Sequence, residues 1–443
     1  MKTTRSEELH RLAQGPLVGG VNSPVRSFRR VKAKPILLAS GQGPFVKDVD
    51  GNTFVDLVMG YGPHLFGHAH PHIVSKVKNT ISKGTAFGFT SEMEILWAQR
   101  VLAHLPAAKK IRLMSTGTES CATAVRLARG FTNRNLIAKF SGHYNGHVDS
   151  LLVDSGSGLA TQTVTGPGSA QADSAGLPQN LIDLSRVIPF NDEKALEKLF
   201  NDEGSSLAGI ILEPVMGNMG VVPPEPGFLK KIRELCNQKG VVLIFDEVMT
   251  GFRVSKKSAQ GLFGIEPDLT CLAKIVGGGF PLAALCGKAE IMDCLAPTGK
   301  VYQAGTFSGN PVCVSGGLAM LDLIEEQDPY TKLDSLGSWL EGCANSLAEK
   351  YKIPFRTERV GSMVSFYFRS GQVRNSEDCK NISNENFNQF FGFLLEEGVL
   401  MPPSPFEACF LSVAHDTPQI RTELERAFSN VFQKMGKFKI ESA

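Results

Sequence analysis

The stretch VVLIFDEV, residues 241–248, joins an unbroken apolar run to two carboxylates that follow it at once. A short apolar run without alternating polar residues is typical of a parallel strand covered on both faces. Similar runs recur at 136–140, 207–212 and 269–273. Between them lie stretches such as 121–128, where apolar residues recur every three to four positions, as in an amphipathic helix. The pattern predicts an α/β fold, with a mostly parallel central sheet flanked by helices.

The pattern of apolar residues along the chain changes near residue 325. Residues 363–368 predict a strand, and the phenylalanines and leucines between 387 and 395 predict a helix. We expect a smaller α+β domain in this part of the chain. The 443 residues are therefore divided into an N-terminal segment that packs with the smaller domain (1–65), a large domain (66–324) and the smaller domain itself (325–443).

The composition argues against several classes of protein. Lys and Arg total 46 against 44 Asp and Glu, and a net charge of +2 is too small to suggest a nucleic-acid or membrane-surface binder. The nine cysteines are scattered and never spaced as CxxC, which indicates neither a disulfide framework nor a zinc site. The N-terminus is polar, and no run of about 18 apolar residues occurs. We expect a soluble cytoplasmic protein.

The motif STGTES, residues 115–120, stands between a predicted strand and a predicted helix. Thr116 and Glu119 have the spacing of a capping box, which places Gly117 and Thr118 in the first helical turn with unpaired N–H groups. Such a turn can bind a phosphate. Most capping boxes merely begin a helix, so the motif alone does not decide between these interpretations.

Two charged residues each follow an apolar run. Asp246 must either find a cation, form part of a site or cap a helix, because a buried carboxylate without a partner is unfavourable. Lys274, followed by three glycines, is either an amine that reaches solvent or a desolvated nucleophile able to form a Schiff base. A strand-end lysine, a strand-end aspartate and a phosphate-binding helix start are together what pyridoxal phosphate requires.

Aromatic and histidine residues give weaker signals. Tyr144, just beyond the predicted strand 136–140, could stack on a cofactor ring or simply fill the core. The histidines of PHLFGHAHPH, residues 63–72, have no carboxylate or cysteine beside them in the sequence. We therefore expect no metal site there.

Six segments resemble the class III, fold-type I family of pyridoxal phosphate-dependent aminotransferases. They are GGVNSPVR (19–26), LEPVMGN (212–218), FDEVMTGFR (245–253), PDLTCLAKIVGGGFP (267–281), YQAGTFSGNP (302–311) and PPSPFEACFLSVAH (402–415). The first and last segments resemble the aminomutase branch of the family in particular. The resemblance implies the fold-type I architecture and a cofactor that alternates between pyridoxal 5′-phosphate and pyridoxamine 5′-phosphate.

The resemblance also implies roles for single residues at the cofactor. Lys274 resembles the lysine that holds the cofactor aldehyde and moves protons, and Asp246 resembles the carboxylate that keeps the pyridine nitrogen protonated. The other implied contacts are Val248 and Tyr144 on the two ring faces, Asn218 at the phenolate, Gly117 and Thr118 at the phosphate, and Thr306 contributed by a partner subunit. That last contact implies a homodimer with shared active sites.

On the substrate side, Arg26 resembles the arginine that grips the substrate carboxylate, a bidentate task suited to a guanidinium. Glu407 resembles an acidic residue that faces the substrate amines. Without the resemblance, both would be interpreted as ordinary solvated charges. Tyr61 replaces a tryptophan common near the substrate, and Ser157 belongs to the segment 155–176, which matches the gating loop of the family.

The implied activity is an isomerisation that converts (S)-4-amino-5-oxopentanoate into 5-aminolevulinate through a diamine, in tetrapyrrole (porphyrin) biosynthesis. A transient contact with the enzyme that supplies the aldehyde would fit this role. The alternative is an intermolecular ω-aminotransferase of class III, against which the first and last matching segments argue. Asn145, Ser115 and His64 depart from the family pattern. The departures at Asn145 and Ser115 alone support a third hypothesis, a catalytically idle cofactor-binding or regulatory protein.

Overall fold

A computed structural model of the chain describes residues 1–155 and 172–441. Its strands are, in chain order, β1 (Leu38–Gln42), β2 (Phe45–Asp48), β3 (Thr53–Asp56), β4 (Lys110–Met114), β5 (Leu136–Phe140), β6 (Ser185–Ile188), β7 (Leu207–Leu212), β8 (Val242–Asp246), β9 (Leu269–Leu272), β10 (Ala283–Gly287), β11 (Arg356–Val360), β12 (Met363–Tyr367), β13 (Val399–Leu400) and β14 (Cys409–Phe410).

The α-helices surround these strands. They are α1 (Thr4–Ala13), α2 (Pro71–Ile81), α3 (Glu92–His104), α4 (Gly117–Thr132), α5 (Gln179–Ile182), α6 (Glu193–Glu203), α7 (Phe228–Lys239), α8 (Ser258–Phe263), α9 (Ala289–Met292), α10 (Pro311–Gln327), α11 (Tyr330–Lys350), α12 (Ser376–Lys380), α13 (Asn384–Glu396) and α14 (Pro418–Glu441). Short 3₁₀ turns lie at Val18–Gly20, Pro24–Ser27, Met59–Tyr61, Lys274–Gly277 and Val413–His415.

The large sheet has the strand order β4-β10-β9-β8-β7-β5-β6. β10 runs antiparallel to both of its neighbours, and the other neighbouring pairs are parallel. Every residue of β7 and β8 is buried, which explains why their sequences are continuously apolar. The predicted α/β class with a mostly parallel central sheet is confirmed.

Helix α4 begins where β4 ends, and its start is the predicted capping box. The Thr116 hydroxyl accepts a hydrogen bond from the Glu119 N–H, and the Glu119 carboxylate accepts bonds from the N–H groups of Ser115 and Thr116. The buried face of the helix includes Cys121 and packs against β7, β8, β9 and β10. The capping box and this packing therefore fix the connection from β4 to α4, and they hold the first turn of α4 at the carboxyl edge of the sheet.

Two small sheets stand apart from the large one. One has the order β1-β2-β3-β13 and the other β11-β12-β14. Strand β13 pairs in parallel with β3, so the C-terminal part of the chain completes a sheet begun by the N-terminal segment. Phe54 and Leu57 share an apolar core with Phe390 and Phe428. This core supports our proposal that residues 1–65 pack with the smaller domain.

The buried guanidinium of Arg253, which follows β8 of the large sheet, contacts both the N-terminal segment and the C-terminal part of the chain. Arg253 donates hydrogen bonds to the carbonyl oxygens of Gly62 and Leu411, the latter at 2.8 Å, and to the Ser362 hydroxyl at 3.2 Å. Burial lowers the pKa of Arg253 to about 9. The bond to Gly62 fixes the end of the turn that carries Tyr61.

None of the helices within residues 1–155 and 172–441 is both long enough and apolar enough to cross a lipid bilayer.

Candidate active site

A cavity of about 180 Å³ lies where β4, β5, β7, β8 and β9 end at their carboxyl edge. Ligands bind at this edge in open α/β sheets. The lining residues are Gly117, Thr118, Cys121, Tyr144, Gly146, Glu213, Asn218, Asp246, Val248, Met249 and Lys274. All seven residues predicted to hold the cofactor within one chain are among them.

Asp246 is buried at the end of β8 and is held by three donors. Its Oδ2 accepts hydrogen bonds from the Asn145 side-chain amide at 2.9 Å and the Cys121 thiol at 3.3 Å, and its Oδ1 accepts one from the Val248 N–H at 3.0 Å. Burial raises the pKa of Asp246, and these donors and the charge of Lys274 oppose the rise. The side chain is therefore firmly oriented at the cavity wall.

Lys274 begins the 3₁₀ turn that follows β9. Its backbone is left-handed, with φ of 56°, a conformation that costs an L-residue about 1–2 kcal/mol. Burial lowers the pKa of Lys274, while the charges of Glu407, Glu213 and Asp246 raise it. A glycine is required at 278, because a Cβ atom there would lie 2.2 Å from the Gly316 oxygen. The turn thus delivers an amine into the cavity at the expense of backbone strain.

Glu213 is a cavity residue to which the sequence analysis assigned no role. It follows β7 directly, much as Asp246 ends β8, so the expectation that a carboxylate after an apolar run needs a partner applies to it equally. It accepts hydrogen bonds from the N–H groups of Tyr144 and Gly217, each at 2.8 Å, and from the Asn218 amide at 3.0 Å. Burial raises the pKa of Glu213 to about 7. Glu213 therefore orients two of the predicted cofactor residues.

The first turn of α4 forms one end of the cavity. A Cβ atom at Gly117 would come within 2.9 Å of Val248 Cγ2, and one at Gly146 would come within 2.7 Å of the Thr118 backbone. The two glycines therefore keep the N-terminus of the helix accessible. A helix N-terminus with accessible N–H groups suits a phosphate.

The predicted substrate residues Arg26, Tyr61 and Glu407 do not line this cavity, but they lie near one another. Burial and the charge of Glu407 raise the pKa of Tyr61, and Arg26 lowers it. The charge of Glu407 also acts on Lys274. The N- and C-terminal segments that carry these residues therefore lie close to Lys274. Ser157 and most of the predicted gating segment lie outside the described residues.

Thr306 is exposed and lines a separate cavity of about 600 Å³ on the surface of the chain. Phe87 and Phe89 also line this cavity and are 49% and 90% exposed, and Phe307, next to Thr306 in the chain, is 62% exposed. Such a concentration of apolar surface is typical of an interface between proteins.

The histidines of residues 63–72 make structural contacts. His68 lies 2.7 Å from the Asp56 carboxylate, and His72 lies 2.7 Å from the Asp322 carboxylate. His64 packs against the His68 ring, and burial lowers the pKa of His64 to about 4. In the described part of the chain, no group of three His, Cys, Asp or Glu side chains is arranged to hold a metal ion.

Comparison with known proteins identifies the family. The sequence model of the class-III aminotransferases matches residues 28–414. The chain belongs to the class-III aminotransferases. The glutamate-1-semialdehyde 2,1-aminomutase of Persephonella marina is 46% identical over 427 residues, which cover 96% of this chain and 98% of that protein. A protein named glutamate-1-semialdehyde 2,1-aminomutase 2 from Halalkalibacterium halodurans is 44% identical over 99% of this chain and 100% of its own length.

Solved structures share the fold of this class-III aminotransferase. An ω-transaminase from Sphaerobacter thermophilus has a TM-score of 0.90 at 28% identity, covering 98% of this chain and 99% of the other. A glutamate-1-semialdehyde aminomutase from Pseudomonas aeruginosa has a TM-score of 0.83 at 24% identity, covering 97% and 94%. The predicted family and its fold-type I architecture are thereby confirmed.

The raised pKa of Asp246 predicts how stability depends on pH. An acid with a folded-state pKa above its unfolded value stabilises the fold less as pH rises between the two values. In the cofactor-free protein we therefore expect the free energy of unfolding of Asp246→Asn, relative to wild type, to improve as pH rises from 4.5 to 8. Urea denaturation checks this, with the exposed Asp202→Asn as control. A difference independent of pH would contradict the burial argument.

Proposed function

We propose that this class-III aminotransferase is a pyridoxal phosphate-dependent isomerase. It converts (S)-4-amino-5-oxopentanoate, which is glutamate-1-semialdehyde, into 5-aminolevulinate, a precursor of tetrapyrroles. Relatives that are 42–46% identical over nearly the whole chain carry the name of this aminomutase. The observation that carries the proposal is the single cavity shared by Lys274, Asp246 and the first turn of α4.

The lining of the cavity fits pyridoxal 5′-phosphate and pyridoxamine 5′-phosphate. The first turn of α4 would hold the phosphate, Asp246 the ring nitrogen and Asn218 the phenolic oxygen. Val248 and Tyr144 would contact the two faces of the ring. When bound, the cofactor supplies an aldehyde or amine, and a ring that withdraws electrons from a substrate carbon.

Lys274 is proposed to hold the cofactor covalently and to move protons. Because burial lowers the pKa of Lys274, a larger share of its amine is neutral near pH 7 than in an exposed lysine. A neutral amine can accept a proton from one carbon and return it to another. An isomerisation needs this exchange and no second substrate.

Three residues are proposed to recognise the substrate. Arg26 would pair with the carboxylate through its planar guanidinium, and Glu407 would face the amines. Tyr61 would keep its proton at neutral pH, because burial and the charge of Glu407 raise the pKa of its phenol. It therefore offers a neutral O–H donor where the family often has tryptophan.

An intermolecular ω-aminotransferase is the second candidate, favoured by the TM-score of 0.90 to an ω-transaminase. The decisive experiment incubates the purified protein, loaded with pyridoxamine 5′-phosphate, with glutamate-1-semialdehyde and no keto acid. We expect many equivalents of 5-aminolevulinate per enzyme, measured by NMR. Turnover that begins only after a keto acid is added would favour the ω-aminotransferase and overturn the isomerase proposal.

The role of Lys274 is tested by reduction. Borohydride treatment of the pyridoxal phosphate-loaded protein should fix the cofactor to a peptide that contains residue 274, detected by mass spectrometry. Lys274→Ala should lose this adduct and the visible absorption of the covalently bound cofactor, while the far-ultraviolet circular dichroism stays unchanged. The exposed Lys198→Ala serves as control. An adduct on another lysine would contradict the assignment.

A homodimer with shared active sites is part of the proposal. The exposed aromatic side chains around Thr306 support a second copy of the chain as the occupant of this surface, because burying them would stabilise an interface. Thr306 of one copy would then complete the phosphate site of the other.

A cytoplasmic location is also proposed, and the nine free cysteines support it because unpaired thiols suit a reducing compartment.

The dimer is tested at its most exposed aromatic residue. Phe89→Asp places a charge in the proposed interface, so we expect it to sediment mainly as a monomer at micromolar concentration and to bind pyridoxal phosphate roughly 10-fold or more weakly. Leu262→Asp, which alters an exposed leucine on α8, should remain dimeric with unchanged affinity. A dimeric Phe89→Asp protein would argue against this surface.

A further inference from the structure

A second lysine of this protein is buried without being part of the cavity. Lys139 lies in β5 and is completely buried. Its ammonium donates three hydrogen bonds, to the carbonyl oxygens of Leu151 at 2.9 Å and Val153 at 2.7 Å and to the Ser155 hydroxyl at 3.1 Å. A buried ammonium is unfavourable unless its bonds are satisfied. The three acceptors therefore satisfy its hydrogen-bonding capacity.

All three acceptors belong to the segment in which the chain returns to β5 after a loop. This loop, residues 141–150, carries Tyr144 and Asn145. A backbone bond from the Gly142 N–H to the Asp154 oxygen at 2.8 Å also closes its base. Lys139 thus ties the end of the loop to the strand from which the loop departs.

The rest of the loop is tied to the cavity. The Tyr144 N–H donates to Glu213 at 2.8 Å, and the Asn145 amide donates to Asp246 at 2.9 Å. The Glu213 N–H in turn donates to the His143 ring at 2.9 Å. A displacement of the base of the loop would therefore be transmitted to the residues that contact Asp246 and Glu213.

Carboxylates compensate the charge of Lys139 at a distance. The Ser155 N–H donates to the Asp173 carboxylate at 2.5 Å, so the group that accepts from Lys139 is itself held by an anion. The charges of Asp173 and Asp154 favour the charged amine, whereas burial lowers the pKa of Lys139 to about 8. A methionine would fill the same space without the desolvation of a charge, so space filling does not require lysine here.

We infer that Lys139 is a positioning residue for the cofactor: its ammonium fixes the base of the loop 141–150 and thereby sets the positions of Tyr144 and Asn145 in the cavity. The inference rests on the proposed function, because it concerns the binding of the same cofactor. It adds a residue that touches neither the cavity nor the reacting atoms.

A double-mutant cycle tests it, with the dissociation constant of pyridoxal 5′-phosphate from the cofactor-free protein as the readout. We expect Lys139→Met to raise this constant roughly 10-fold, since it removes charge-assisted hydrogen bonds. Tyr144→Ala should raise it as well. In the double variant the increase should be clearly smaller than the product of the two single effects, because both act through one loop. Multiplicative effects, or an unchanged constant in Lys139→Met, would overturn the inference.

Asp268→Asn is the control for a general loss of stability. Asp268 is buried at the opposite edge of the sheet, where it pairs with Arg233 at 2.9 Å and Lys288 at 2.7 Å. The Asp268→Asn variant should lower the midpoint of thermal unfolding without changing the dissociation constant of pyridoxal 5′-phosphate. If Lys139→Met weakened binding only as much as Asp268→Asn does at equal destabilisation, a merely structural role would be the better account.

Ser155→Ala covers the case in which Lys139→Met does not fold. It removes one of the three acceptors, so a smaller rise in the dissociation constant is expected, again less than multiplicative with Tyr144→Ala. No rise would overturn the inference. Wild-type protein that binds no pyridoxal phosphate would refute the proposed function as well. Binding without isomerisation, with the Lys139 effect present, would refute the isomerase assignment alone.

Discussion

The buried carboxylate of Asp246 is the constraint on which the rest of the site depends. An ionised carboxylate without partners in the interior is unfavourable by several kcal/mol. The chain meets this with donors from two further elements, Cys121 on α4 and Asn145 on the loop after β5. Both elements must therefore approach the end of β8. Their approach brings the helix N-terminus and the face of Tyr144 to the same cavity as Lys274.

The parts of the fold that depend on local sequence were predictable. The continuous apolar runs indicated buried parallel strands, and the spacing of Thr116 and Glu119 predicted the start of α4, because strand burial and helix capping are decided within a few residues. Asp246 was a candidate site residue because a carboxylate at the end of a buried strand is unfavourable without a partner. Glu213 follows β7 in the same way, and it accepts hydrogen bonds from Tyr144 and Asn218, two of the proposed cofactor residues.

Other parts of the site depend on contacts between distant segments, which spacing does not encode. Arg26, Tyr61 and Glu407 were singled out by resemblance alone, since Glu407 lies more than 300 residues from the other two in the chain. The bond from Asn145 to Asp246 joins residues 101 positions apart. A lysine inside an apolar run, such as Lys139, carries no sequence signal that distinguishes an anchor from a solvent-exposed amine. Contacts of this kind arise only when the fold brings distant segments side by side.

At residue 274, the stability of the backbone conflicts with the proposed role of the side chain, because Lys274 has a left-handed backbone conformation. Glycine adopts this conformation without steric penalty, and asparagine tolerates it better than lysine does. A buried amine adds a desolvation penalty to the backbone penalty. Directed evolution for heat resistance alone would therefore drift away from lysine at residue 274. The proposed role of Lys274 opposes this drift, so libraries screened only for turnover should retain the lysine despite both penalties.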